Sequence, residues 1–191
     1  MSYFPAFINI DNKKILIIGG GHIAFEKLFH LLDFTQNITV ISKELSEVMC
    51  ETINRNSLDF KLKSYEKGDI KGYDIIVAAV DNFDVQKSIY KESRDYNCLC
   101  NCVDFQEYCD FIFPSYIKKG DLTIAISTSG SSPAMAKNIR IFLSKIIPDS
   151  IIDFLSELKS LRNTMPKGQN RMKFFDNKVQ KYIKTWEIKN D

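Results

Sequence analysis

Three consecutive glycines, Gly19-Gly20-Gly21, are followed by His22-Ile23-Ala24. They stand directly after the apolar stretch Lys14-Ile-Leu-Ile-Ile18 and directly before a segment with helical periodicity. The pattern is G-x-G-x-x-A in the strand, turn and helix setting that gives it meaning. Gly19 suits the tight turn, Gly21 lets the backbone approach a pyrophosphate, and Ala24 permits close packing of helix on sheet. The unpaired N–H groups of the first helical turn are donors for phosphate. These residues point to a bound dinucleotide, with a purely structural glycine-rich turn or another nucleotide as the alternatives. His22 is placed in solvent beside the phosphates, and His30 on the surface of the following helix or at an interface.

In this fold the acid that holds the adenosine ribose ends the second strand, and here that place is taken by Ser42 and Lys43, with Glu44 one further on. Lys43 suits a 2′-phosphate and Glu44 a 2′-hydroxyl, while a helix-capping Ser42 with two solvated charges is the plain reading. The residues leave NAD against NADP open. Asp104 follows a fifth strand and shares the carboxyl edge of the sheet with the glycine turn, where ligands of open α/β sheets bind. A carboxylate there can take a proton as hydride leaves to a nicotinamide; the alternative is a turn residue satisfying backbone N–H groups. Ser127-Thr128-Ser129, running through Gly130 to Ser132 ahead of Pro133, offers hydroxyls and a helix N-terminus to an anion such as a propionate or acetate arm, or is simply a capped loop. Cys98, Cys100 and Cys102 alternate, so a strand turns all three to one face, as small core residues of a reduced protein more than as metal ligands.

The elements that must position these residues alternate. Strands are predicted at Lys14–Ile18, Ile38–Ile41, Phe60–Ser64, Tyr73–Val80 and Cys98–Val103. Helices are predicted at Ile23–Leu32, at Glu44–Asn54, and from an Asn82 cap to about Tyr96. That rhythm is an α/β, Rossmann-like parallel sheet. Beyond Asp104 the pattern resembles a hairpin, Phe111–Phe113 and Leu122–Ser127 around Lys118–Asp121, then a helix capped by Ser132 and running to about Ile146. Two apolar stripes follow, Ile151, Ile152, Leu155, Leu158 and Leu161, then Met172, Phe175, Val179, Tyr182 and Trp186. They must pack on the main domain or on a second subunit. The chain has 191 residues, 45% hydrophobic and 26% charged, with 26 basic against 24 acidic side chains. This balance is that of a folded globular protein and gives no reason to invoke nucleic acid or an anionic membrane. No continuous apolar run of spanning length occurs, so a cytoplasmic location is expected.

Nearly the whole chain resembles the precorrin-2 dehydrogenase module found alone or at the N-terminus of siroheme synthases. The resemblance is carried by Phe4-Pro-Ala-Phe-Ile-Asn-Ile10, the turn Ile18–Ala24 with Lys27, Ala78-Ala-Val-Asp81, Asn101-Cys-Val-Asp104, Asp110-Phe-Ile-Phe-Pro114 and Leu122–Ala134. It implies NAD-dependent removal of two hydrogens from precorrin-2, a tetrapyrrole, in a homodimer, and in some members insertion of Fe2+ as a further substrate to give siroheme. It further implies that Asp104 is the catalytic residue, that Ala79 and Asp81 join the cofactor site, and that Asn101 joins Ser127, Thr128 and Ser129 at the substrate. The family often has serine where this chain has Thr128. No resident metal site and no methyltransferase domain are expected. The implied organisation is an NAD-binding domain over 1–113, a dimerisation and substrate-binding strand-helix region over 114–147, and a helical segment over 148–191. Two other readings remain: a nucleotide-sensing module without catalysis, and mainly a chelatase or tetrapyrrole scaffold.

Overall fold

The computed structural model describes residues 2–186. It divides the chain into two compact units, Met1–Phe113 and Pro114–Asp191. The first is built on five parallel strands in the order β3-β2-β1-β4-β5. These are β1 (Ile15–Ile18), β2 (Ile38–Ser42), β3 (Asp59–Leu62), β4 (Ile75–Ala78) and β5 (Leu99–Cys102). The central β1 and β4 are apolar at every position and wholly buried, as strands covered on both faces must be. Their side chains alternate between two cores. Ile15, Ile17, Val40 and Val77 pack with Ala24 and Leu28 of α1 (His22–Leu32) and with Met49 and Ile53 of α2 (Glu47–Asn56). Leu16, Ile18, Ile41 and Ile76 pack on the other face with Ile89 of α3 (Phe83–Asp95). Cys98, Cys100 and Cys102 lie in that second core, each at most 3% exposed.

Helix starts follow side-chain chemistry. Ser46 Oγ accepts from Met49 N and Asn82 Oδ1 from Val85 N, each satisfying a first-turn donor. The second helix therefore begins at Glu47, three residues later than its periodicity suggests, and Ser42 to Glu44 belong to strand end and loop. Because the chain leaves β1 for β2 on one side and reaches β4 on the other, the strand order reverses between β1 and β4. A crevice opens at their carboxyl ends.

In the second unit β6 (Ser115–Lys119) and β7 (Leu122–Ile126) pair antiparallel, with Lys119 opposite Leu122. Gly120, at φ +58°, takes the first central position of the two-residue turn, as a type II′ turn demands. The hairpin thus uses Ser115–Lys119 and not the expected Phe111–Phe113. Those two aromatics instead pack, partly buried, against the first core of the first unit. Helices α4 (Pro133–Ile146), α5 (Ile151–Thr164) and α6 (Gln169–Ile183) complete the unit. Ile117 of the hairpin, Ile147 and Ile151 share one core with Leu155, Tyr182 and Trp186. Phe154 and Tyr182 stack at 3.9 Å, and Lys119 Nζ donates to Ile147 O at 2.6 Å and pairs with Asp149 at 2.7 Å. No helix among the described residues is long and apolar enough to cross a membrane.

Candidate cofactor and active site

A cleft of about 1200 Å³ lies at the carboxyl edge of the sheet in the first unit. Gly19–Ile23 form its floor, Ser42–Glu44 and Lys63–Tyr65 one wall, and Ala79–Phe83 with Val103–Phe105 the other. Asp104 and every residue expected at the cofactor thus line one cavity.

The three glycines have separate roles. Gly19 sits at φ +131°, and a methyl there would lie 2.2 Å from Ala79 O. A methyl on Gly20 would lie 2.1 Å from Glu44 O and 2.7 Å from Ser42 Oγ, and Gly20 O also accepts from Ser46 N at 2.9 Å. Gly20, an unassigned middle position in the sequence pattern, is what draws the β2–α2 loop onto the turn. A methyl on Gly21 would meet nothing within 4 Å. Gly21 also begins α1 without a side-chain cap, which leaves first-turn N–H groups facing open space. An exposed backbone cradle at a helix N-terminus fits a pyrophosphate in shape and in sign of charge. His22 is in solvent, its side chain 82% exposed and 3.5 Å from Glu26, as its place in the turn suggests.

The wall past β2 carries mixed charge. Ser42 Oγ donates to Glu44 O at 2.6 Å, so this hydroxyl braces the loop and caps no helix. Lys43 and Glu44 are exposed, whereas Lys63 is held by Glu66 at 2.8 Å and Asp69 at 3.0 Å; those two partners raise its pKa and balance its charge. Tyr65 donates its hydroxyl to the buried Glu92, which also accepts from Gly68 N at 2.7 Å. Burial first, and then that bond, push the phenol pKa well above its usual value, so Tyr65 is a fixed neutral wall. Lys63, Tyr65, Phe83, Gln86 and Phe105 were not legible as site residues. They come to the cleft because their strands end there, and no local pattern marks them.

Asp104 is presented by a braced loop. Val103 N still bonds Ala78 O at 3.0 Å, and the chain then turns sharply, with Asp104 in the left-handed region at φ +70°. Aspartate tolerates that conformation better than most side chains. Asp110 returns to the strand: Oδ2 accepts from Cys100 N at 2.8 Å, and the carboxylate takes Arg94 Nη1 at 3.0 Å and Nη2 at 2.5 Å. Asn101, 6% exposed, donates Nδ2 to Phe111 O at 2.9 Å and is absent from the cleft lining. Through that bond its Nδ2 braces the loop. The segments Asn101–Asp104 and Asp110–Pro114 are therefore two sides of one support. Phe83 and Phe105 meet edge to face at 4.7 Å beside it.

In the second unit Thr128 Oγ1 donates to Ser132 O at 3.0 Å and accepts from Ser132 N at 3.1 Å. Ser127 Oγ accepts from Ser129 N at 3.0 Å, and Ser132 Oγ caps Met135 N at 3.1 Å. Ser129 and Gly130 both have positive φ. The loop's hydroxyls are spent largely on holding its own shape ahead of α4.

Sheet order, switch point and glycine cradle define a dinucleotide-binding α/β protein. The chain belongs to the family described as "Putative NAD(P)-binding", which matches residues 6–115. Residues 119–142 match the family described as "Sirohaem biosynthesis protein central". A siroheme synthase of Methylococcus capsulatus is 30% identical over 184 residues, covering 94% of this chain and 39% of that protein. One from Ruthia magnifica is 36% identical over 148 residues, covering 78% of this chain and 31% of that protein. The chain thus spans well under half the length of these two relatives. The solved structure of SirC, a precorrin-2 dehydrogenase, has the same fold, with a TM-score of 0.76 at 22% identity over 96% of this chain and 93% of that one.

Proposed function

We propose that this protein oxidises precorrin-2 to sirohydrochlorin with NAD⁺, as a cytoplasmic homodimer. The observation that carries the reading is the placement of Asp104, on its braced turn, in the same cleft as the glycine cradle. Its wider support is the likeness to siroheme synthases and to a precorrin-2 dehydrogenase fold. Gly19, Gly20, Gly21, His22 and Ile23 would hold the pyrophosphate, and Ser42, Lys43 and Glu44 the adenosine ribose. Ala79 and Asp81 would line the path toward the nicotinamide end.

The nicotinamide supplies the hydride acceptor when bound. Of the two hydrogens the substrate loses, one would leave as hydride to that acceptor, and the other as a proton that the Asp104 carboxylate would accept and pass to solvent. Ser127, Thr128 and Ser129 would receive a carboxylate arm of the substrate through backbone N–H groups more than through hydroxyls, because the hydroxyl of Thr128 is already engaged. Glu44 would disfavour a 2′-phosphate at the ribose and so favour NAD⁺, against the neighbouring exposed Lys43, while Lys63 is already neutralised by Glu66 and Asp69. The same carboxylate, Asp104, would serve Fe2+ insertion into the product.

The test is to follow the absorbance of sirohydrochlorin and of NADH when purified protein meets precorrin-2 and NAD⁺. Equimolar appearance of both supports the reading. NAD⁺ binding without product would leave a nucleotide-sensing module. Metal insertion into supplied sirohydrochlorin without dehydrogenation would leave a chelatase.

A further inference from the structure

The cleft wall past β2 holds a lysine whose charge is already taken. Lys63 follows β3, and its backbone N–H donates to Ser42 O at 2.9 Å, which seats it beside the strand end where the ribose of a dinucleotide is expected. Lys63, Ser42, Lys43 and Glu44 all line the cleft. An ammonium in that place is a natural partner for a 2′-phosphate. Lys63 Nζ is instead bound by Glu66 Oε2 at 2.8 Å and by Asp69 Oδ1 at 3.0 Å, two carboxylates on one cation.

The segment that carries these acids is closed on itself and pinned from behind. Asp69, its side chain 14% exposed, accepts Glu66 N through Oδ2 at 2.8 Å, and Asp69 N donates to Glu66 O at 3.1 Å. Between them Gly68 N donates to Glu92 at 2.7 Å, and the Tyr65 hydroxyl donates to the same carboxylate. Glu92 stands on α3 and is 3% exposed. An anion arriving at Lys63 would therefore compete with a carboxylate that also holds the turn, and not with two loose surface acids. Neither Glu66 nor Asp69 lines the cleft, so they act on a ligand through Lys63.

We propose that Glu66 and Asp69 are specificity-determining residues that select against NADP⁺ by withholding Lys63 from the 2′-phosphate. They remove the cation that the phosphate needs and leave the cluster with one negative charge in excess. The inference rests on the reading of this cleft as the dinucleotide site. It places part of the selection on the turn after β3, outside the β2 end where the usual ribose-binding acid stands.

The experiment measures NAD⁺ and NADP⁺ binding by calorimetry at low ionic strength, in the wild type, in Glu66→Gln/Asp69→Asn, and in that double variant with Lys63→Met added. Glutamine and asparagine remove the charges, and asparagine keeps an oxygen that can accept from Glu66 N. The double variant should bind NADP⁺ about tenfold more tightly than wild type, as a newly available hydrogen bond between charged groups allows. Its NAD⁺ affinity should stay within about twofold, and Lys63→Met should abolish the gain. If the double variant loses its fold by thermal melting, Glu66→Gln alone should still improve NADP⁺ binding by at least about twofold, because one of the two competing carboxylates is gone. Unchanged NADP⁺ affinity in the folded variant overturns the inference, as does a gain that survives Lys63→Met. A wild type that binds neither dinucleotide fails the cofactor reading itself, a result distinct from intact NAD⁺ binding with unmoved selectivity.

Discussion

Gly19 and Gly21 lie two residues apart and carry opposite constraints, which predicts opposite consequences of adding a side chain. Gly19→Ala forces a left-handed conformation and a clash with Ala79 O, and should cost at least ~1–3 kcal/mol, read as a lower melting temperature. Gly21→Val has open space and should fold normally but lose NAD⁺ binding in calorimetry, since its side chain enters the volume the pyrophosphate needs. Unchanged affinity in a folded Gly21→Val protein would place the cofactor elsewhere. Asp104 calls for asparagine more than alanine as its test, because asparagine accepts the φ of +70° with less strain. Asp104→Asn should keep its melting temperature and cofactor affinity while dehydrogenation falls by ~10²–10⁴, the usual cost of a lost general base. At the ribose, Glu44→Ala should narrow the preference for NAD⁺ over NADP⁺, measured as the ratio of kcat/KM values; an unmoved ratio assigns the choice to other residues.

At the scale of elements, the turn after β5 owes its shape to contacts from outside itself. Asp110 joins the backbone of Cys100 to the guanidinium of Arg94, with its side chain 20% exposed. Asp110→Ala leaves a backbone N–H and a charged group without their acceptor, and should destabilise the protein by roughly 1–3 kcal/mol. If the support orders Asp104, turnover should fall further than stability at 25 °C explains, while NAD⁺ affinity stays near wild type because the glycine cradle sits on a different strand. A fall in NAD⁺ binding equal to the fall in rate would show the two halves of the cleft to be coupled through β5.

At the scale of the molecule, the second unit closes one core and still leaves apolar side chains on its outside, among them Met135 at 55%, Phe142 at 59% and Met172 at 68% exposure. Removing everything after Ile147 would take Ile151, Leu155 and Tyr182 out of that core, so truncation tests folding before it tests assembly. Phe142→Glu in the full chain is the cleaner probe. For a homodimer that uses this face of α4, sedimentation should shift from dimer toward monomer with NAD⁺ binding retained. A variant that sediments as wild type would place any interface elsewhere.

The alternation of strands and helices in the first unit, the glycine turn, and the Asn82 and Ser132 caps were all legible in the sequence. Each is set by residues within two to four positions of one another: side-chain period, a missing Cβ, a hydroxyl or amide within reach of its own helix. The role of Gly20, the neutralised Lys63 and the buried brace made by Asn101 and Asp110 were not legible. The bond from Asn101 Nδ2 to Phe111 O is visible only in the fold, and Phe111 and Phe113 read as a strand until they are seen in the core. Their partners lie across strands and loops, and packing alone decides which polar groups are buried, which must then be satisfied, and which remain free to meet a substrate.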